Sequence, residues 1–312
     1  EQWQVPPRLW RLAADVYHAP YYVFPYGAPT PTVVTLFDVI SHTHPASLPG
    51  WRARLLFELT TRLALRVARR LLVPSQATAQ ALQRAYGVDA RRLVLTPLAA
   101  PPHLHPAPAE AVAWVRARYG LPERYVLYLG SHKPHKNLVS LVEAWARLKA
   151  RRKGETAVLV LAGQTDRRYR QAEAWVEARG LGSAVCFLGP VPEADLAALY
   201  SGARCFAFPS LAEGFGLPVL EAMACGAPVL CSNLSSLPEV AGDAALLVNP
   251  YDVEALTGGL QRLLADDDLC QALRQRGLAR AGSFTWARTA AATLAAYRAV
   301  AAPKAGEPEA RA

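Results

Sequence analysis

Two carboxylates flank a turn bracketed by glycines: Glu213 and Glu221, seven residues between them, in the run SLAEGFGLPVLEAMACG (210–226). The apolar stretch before it and the periodic stretch after it read as strand, loop and helix, with Pro218 at the first helical position, where a missing N–H is no loss. A helix start leaves backbone amides unpaired, and together with those of Gly214, Phe215 and Gly216 they form an anion site that fits a diphosphate. Glu221, one turn into the helix, is then placed to accept hydrogen bonds from two ribose hydroxyls. Glu213, before the turn, faces a sugar beyond the phosphates. The plainer reading makes Glu221 a complement to the helix dipole and Glu213 an exposed loop residue. Only the combined pattern favours chemistry.

The seven histidines fall in or near short clusters: His18, His42 with His44, His103 with His105, and His132 with His135. Such spacings invite a metal reading, but no cysteine or paired carboxylate joins them, so none is assigned. The five cysteines form no C-x-x-C pair, lie mostly in apolar runs, and read as reduced core residues of a cytoplasmic protein.

These residues need a scaffold, and from about residue 125 the pattern supplies one. Apolar runs at Tyr125–Gly130, Ala157–Ala162, Ala184–Leu188, Cys205–Phe208, Pro228–Cys231 and Ala245–Val248 alternate with segments of helical period. Strands alternating with helices imply a parallel sheet covered on both faces, a Rossmann-like α/β domain. Upstream, DVYHAP, TVVTLFDV, LLVPS and RLVLT read as further strands, with helices at about 51–70 and 76–86, the second capped by Ser75. The proline-rich stretch 96–110 reads as the linker. The expected division is 1–105, 106–284, a closing helix at 285–302 that returns to the first domain, and a disordered tail at 303–312.

At this point a family resemblance is legible. EGFGLPVLE is similar to the E-x7-E element of the retaining GT-B glycosyltransferases of family 4. YVLYLGSHKPHKNLVSLVEAWARL resembles that family's strand, glycine and Lys-Asn loop, CFLGPVPEADLAALYSGA its nucleobase-side segment, and SFTWARTAAATLAAYR its closing helix. The first half, DVYHAPYYVFP and VVTLFDVISHTHP, resembles its acceptor-domain strands.

The resemblance implies two Rossmann-like domains facing a cleft, and hexose transfer from a nucleotide-sugar, GDP-mannose first and UDP-glucose second, to a glycan or lipid-linked acceptor, with no bound metal. Lys136 would stabilise the leaving diphosphate, with Gly130 and Ser131 beside it; Glu213 would contact the transferred sugar, the Gly214–Leu217 backbone the phosphates, and Glu221 the ribose. His18 would face the reacting sugar and Asp38 the acceptor side. Two departures stand out. Ser131 occupies a position where many members carry arginine, so either Lys133 supplies some of that charge or the site is weaker, and Phe37 precedes Asp38 where histidine is usual. Members also open with a strand and a Gly-rich loop that this sequence does not show before DVYHAP, so the first domain is expected to be incomplete, and the chain to bind a nucleoside diphosphate but transfer sugar slowly or not at all. The rival readings are a catalytically silent nucleotide-binding or scaffolding protein and a nucleotide-sugar epimerase.

The net charge of +9 suits an anionic partner without choosing among nucleotide, phospholipid and nucleic acid. Its arginine-heavy makeup beside abundant alanine reads as base composition, and no nucleic-acid partner is assigned. The segment 51–72 carries Arg52, Arg54, Arg62, Arg66, Arg69 and Arg70 beside an apolar stripe, which allows peripheral membrane contact, against the plainer reading of a solvated face on a core helix. No apolar run approaches the ~20 residues of a membrane span.

Overall fold

The computed structural model describes residues 4–301, so the expected tail at 303–312 lies outside the described residues. The described residues divide into two compact units, 4–97 with 286–301 and 98–285.

In the first unit four short parallel strands, β1 (Tyr17–Ala19), β2 (Thr32–Thr35), β3 (Arg70–Val73) and β4 (Leu93–Leu95), lie side by side in chain order. Parallel neighbours need crossovers, and the helices Trp51–Val67 and Gln76–Tyr86 provide two of them. Ser75 accepts a hydrogen bond from the Thr78 amide at the start of the second helix, and Gly87 ends it at φ 64°. The first helix ends at Val67, not near 72: Ala68 turns extended and Arg70 already belongs to β3. The strand expected at LLVPS therefore begins one residue earlier, at Arg70, and three of its four residues are buried. The helix Trp286–Arg298 lays Ala296 and Tyr297, with Val300 beyond its end, on Val33 and Leu72 of this sheet.

The second unit holds six parallel strands: β5 (Tyr125–Leu129), β6 (Val158–Ala162), β7 (Val185–Gly189), β8 (Cys205–Phe208), β9 (Val229–Ser232) and β10 (Ala245–Val248). Their order is β10-β9-β8-β5-β6-β7. The chain runs outward from β5 in one direction, then returns to add β8 on its other side. That reversal between β5 and β8 is the topological switch point of a doubly wound sheet, where loops at the carboxyl ends leave a crevice for ligand. The core is continuous, with Trp145 of the helix Leu138–Arg151 fully buried and its indole N–H donating to the Ala184 carbonyl at 2.9 Å.

The division falls after Pro97, ahead of the expected boundary at 105, and the stretch read as a linker is fastened to the second unit. Leu104 is buried in its core, Leu98 and Ala100 pack on that core, and the Ala107 amide donates to the Ser201 hydroxyl. The apolar residues between the prolines decide the matter.

Truncating Trp145 to alanine removes the largest buried side chain and its hydrogen bond, and is expected to destabilise the second unit by about 3–5 kcal/mol. Urea unfolding followed by circular dichroism reads the shift.

Candidate active site

The loops that leave β5 and β8 meet beside the switch point. The first runs through Gly130 and Ser131 into a short turn, Pro134–Lys136, and is pinned by Asn137, whose side-chain N–H groups donate to the carbonyls of Pro209 (3.3 Å) and Pro250 (2.8 Å). Asn137 holds φ 59°, a left-handed value that asparagine tolerates better than most residues. The second loop carries Glu213, and the Lys136 ammonium sits 2.6 Å from Glu213 Oε1. The Ser210 hydroxyl donates to the same oxygen at 2.5 Å. Both charges are largely withdrawn from water, with side-chain exposures of 13% and 9%, and the ammonium also lies 5.1 Å from the centre of the Phe208 ring. Glu213 is therefore no exposed loop residue.

Serines hold the backbone that follows. Ser235 accepts from the Glu213 amide and donates to its carbonyl, while Ser236 contributes its hydroxyl to the carbonyls of Glu213 and Phe215. Phe215 turns its ring into the core against Phe284, leaving only its backbone for a ligand. Gly216 sits at φ 105°, and a Cβ there would stand 2.5 Å from a Leu237 methyl, so this residue has to be glycine. The helix begins at Leu217, which makes Pro218 its second residue and not its first. Since Gly216 has no side chain, nothing caps this helix start from a side chain.

Glu221 is half-buried one turn in, and its Oε2 accepts from the hydroxyl of the fully buried Tyr200 at 2.9 Å. Burial pushes its carboxyl above the usual carboxylate range, partly opposed by the Tyr200 hydrogen bond and by nearby His103, which itself pairs with Glu193 at 3.1 Å. Three residues here escaped the sequence reading. Tyr200 closes an apolar helical run and looked like core; His103 lay in the presumed linker. The third, Gly163, follows β6 at φ 122°, and any Cβ there would overlap the Gly130 carbonyl oxygen, so the two glycines let the loops after β5 and β6 touch. Its only signal was a glycine directly after an apolar run.

The other candidates lie in the first unit. His18, on β1, has both ring nitrogens engaged, Nδ1 with the Tyr297 hydroxyl at 2.6 Å and Nε2 with the Thr35 hydroxyl at 2.8 Å. Burial lowers its pKa, so the ring is neutral at pH 7. Asp38 follows the exposed Phe37 and uses Oδ1 to accept from the Ile40 amide. Lys133, considered as a substitute for the missing arginine at 131, is exposed. Among the described residues no group of three or more His, Cys, Asp or Glu is gathered as metal ligands would be.

A doubly wound sheet with a lysine–glutamate pair beside an uncapped helix start at its switch point describes a class, the glycosyltransferases of GT-B fold. Residues 116–280 match the family described as glycosyl transferases group 1, and residues 2–104 match glycosyltransferase family 4. O-antigen chain mannosyltransferase B of Escherichia coli is 37% identical over 290 residues, which cover 91% of this chain and 74% of that protein. Among solved structures, the sucrose-phosphate synthase of Thermosynechococcus elongatus superposes with a TM-score of 0.77 at 27% identity, covering 94% of this chain and 75% of that one. Anabaena Alr3699/HepE, solved with UDP and glucose, gives 0.78 at 21% identity, over 93% of this chain and 80% of that one. The chain belongs to glycosyltransferase family 4 and is a glycosyltransferase.

The elevated pKa of Glu221 carries a testable sign. A carboxyl whose folded pKa lies above its unfolded value costs stability when ionised, and the cost is relieved as pH falls through the folded value. Glu221→Gln keeps an acceptor for Tyr200 without the charge, so it is expected to raise the thermal midpoint at pH 7 and to flatten its rise on acidification toward pH 4–5. Scanning calorimetry across that range checks both.

Proposed function

We propose that the enzyme transfers a hexose with retention from a nucleotide-sugar, GDP-mannose before UDP-glucose, to a saccharide or lipid-linked acceptor. The observation that carries this reading is the Lys136–Glu213 pair held beside an uncapped helix start. A diphosphate placed on the 214–217 backbone at the helix start would draw the ammonium toward its departing oxygen and free Glu213 for a sugar hydroxyl. Glu221 would accept from the ribose. As the sugar–phosphate bond breaks to an oxocarbenium-like state, the acceptor hydroxyl attacks from the face the phosphate leaves, and the departing oxygen takes its proton. Charge builds on the phosphate, so the work of this chain is electrostatic, with one such donor worth about 3–4 kcal/mol in the transition state. Mannose is favoured by the name of the Escherichia coli relative, and an acceptor in polysaccharide assembly by the same name. His18 and Asp38 keep the sugar-facing and acceptor-side roles that the family pattern implies, and no metal is required in this scheme.

Lys136→Ala is expected to lower kcat with GDP-mannose by about 10²–10³-fold, the usual effect of removing one oxyanion donor. Rates assayed with and without EDTA test the scheme further; rescue of a chelated enzyme by a divalent cation would contradict it.

The acceptor's lipid character draws support from the helix Trp51–Val67. Its inner side buries Phe57, Thr61, Ala64 and Leu65, while Trp51, Leu55, Leu56 and Leu59 are more than half exposed and Arg52, Arg62 and Arg66 share the outer surface. Apolar residues among cations suit an anionic bilayer, and we place the enzyme at the inner face of a membrane. No described helix is long and apolar enough to cross one. The chain is expected to sediment with phosphatidylglycerol vesicles but not with phosphatidylcholine vesicles, and Leu55→Glu with Leu59→Glu to abolish this; equal binding to both vesicle types would refute the assignment.

A further inference from the structure

We infer that Tyr297, on the helix Trp286–Arg298, is a positioning residue: its hydroxyl donates to His18 Nδ1, which turns the imidazole N–H onto Thr35 and leaves the Thr35 hydroxyl to donate to a sugar hydroxyl of the substrate. The inference rests on the transfer reading above for its ligand class. The sugar-facing role given there to His18 is exercised through Thr35.

The three side chains belong to one unit and form one chain of hydrogen bonds. The Tyr297 hydroxyl meets Nδ1 at 2.6 Å, and the Thr35 hydroxyl meets Nε2 at 2.8 Å. These lengths fix the direction. An N–H donor keeps about 2.7–3.2 Å from an oxygen, whereas an O–H donor comes closer, so the shorter contact is the tyrosine O–H donating to Nδ1 and the longer one suits an imidazole N–H donating to Thr35. Acidity agrees, since the phenol of tyrosine is a stronger acid than the alcohol of threonine. Burial keeps the ring neutral at pH 7, with a single N–H.

Tyrosine, neutral imidazole and threonine bring one proton each, and the two contacts use only those of Tyr297 and His18. The Thr35 proton is left over. It has no protein acceptor among the described residues, although Thr35 is only 9% exposed and buried hydroxyls rarely go unpaired. Thr35 is therefore a donor without a use inside the protein. It is the last residue of β2, on the same face as Val33, which the helix Trp286–Arg298 covers. Ligands of parallel sheets meet them at the carboxyl ends of the strands, where Thr35 stands. The donor is uncharged, which suits a sugar hydroxyl better than a phosphate. A plain fastening of helix to sheet accounts for both hydrogen bonds but not for the spare proton.

The test compares the full chain with Tyr297→Phe, Thr35→Val and the double variant, following GDP release from GDP-mannose with methyl α-D-mannopyranoside as acceptor. Each single change is expected to lower kcat about tenfold with KM for GDP-mannose within about twofold, and the double variant to fall no further than Thr35→Val alone, because both changes disable the same donor. Two independent structural faults would multiply to about a hundredfold instead. Tyr297→Phe keeps the ring that stands edge-on to His18, and its thermal midpoint checks that it folds. A second measurement needs no turnover. In the chain labelled with 15N-histidine, His18, assigned by its absence in His18→Gln, is expected to carry its proton on Nε2, and its Nδ1 signal to move in Tyr297→Phe. A proton on Nδ1, an unchanged kcat in either single variant, or losses that multiply would each overturn the inference. A parent chain with no turnover counts against the transfer reading, and the histidine spectrum then decides the inference by itself.

Discussion

The ion pair between Lys136 and Glu213 ties together the two loops on either side of the switch point, and the geometry of the donor end depends on it. A pair so far from water has little margin. Withdrawing two charges from solvent costs several kcal/mol per ion, and attraction offsets that only with good geometry and further hydrogen bonds. The Ser210 hydroxyl and the Phe208 ring face supply some of this support. Neither charge can be removed alone without stranding the other. In the scheme proposed above, a phosphate would replace the glutamate as the lysine's partner and a sugar hydroxyl would replace the lysine as the glutamate's.

Rigidity around the pair comes from backbone more than from side-chain packing. Asn137 and Gly216 adopt left-handed conformations, Gly163 admits the Gly130 carbonyl, and Ser235 and Ser236 grip the carbonyls of the 213–215 segment. Ser235 itself sits at φ 58°, an unfavourable value that its two hydrogen bonds with the Glu213 backbone sustain. Strain is thus concentrated where the helix start must be presented.

Much of this was legible in the sequence, and the parts that were not share a cause. The six strands of the second sheet could be read to within a residue or two because buried parallel strands are continuous apolar runs. The helix Gln76–Tyr86 was readable at both ends from Ser75 and Gly87. E-x7-E and the Lys-Asn loop marked the donor end because glycines and a proline fix the backbone locally. What escaped was decided by contacts distant in sequence. Leu104 makes a proline-rich stretch part of a core; Tyr200 turns from apolar filler into the partner of Glu221; His132, grouped with His135 as a metal-like spacing, is buried beside Glu173. The helices Ala109–Tyr119 and Asp267–Gly282 went unread because alanine and arginine dominate them and leave no clear apolar stripe.

The helix Trp286–Arg298 imposes an order on synthesis. Its residues cover Val33 and Leu72, and Tyr297 reaches His18, so the first sheet waits for the far end of the chain before that face is closed. Between the two halves of the first unit the ribosome must deliver residues 98–285, roughly 10–40 s of translation at ordinary speeds. The second unit is contiguous and can finish folding while the first is still open. An enzyme whose earliest strands are translated first thus completes its second unit first, and the nascent chain carries an exposed apolar sheet face while that unit is made, a natural place for a chaperone to hold it.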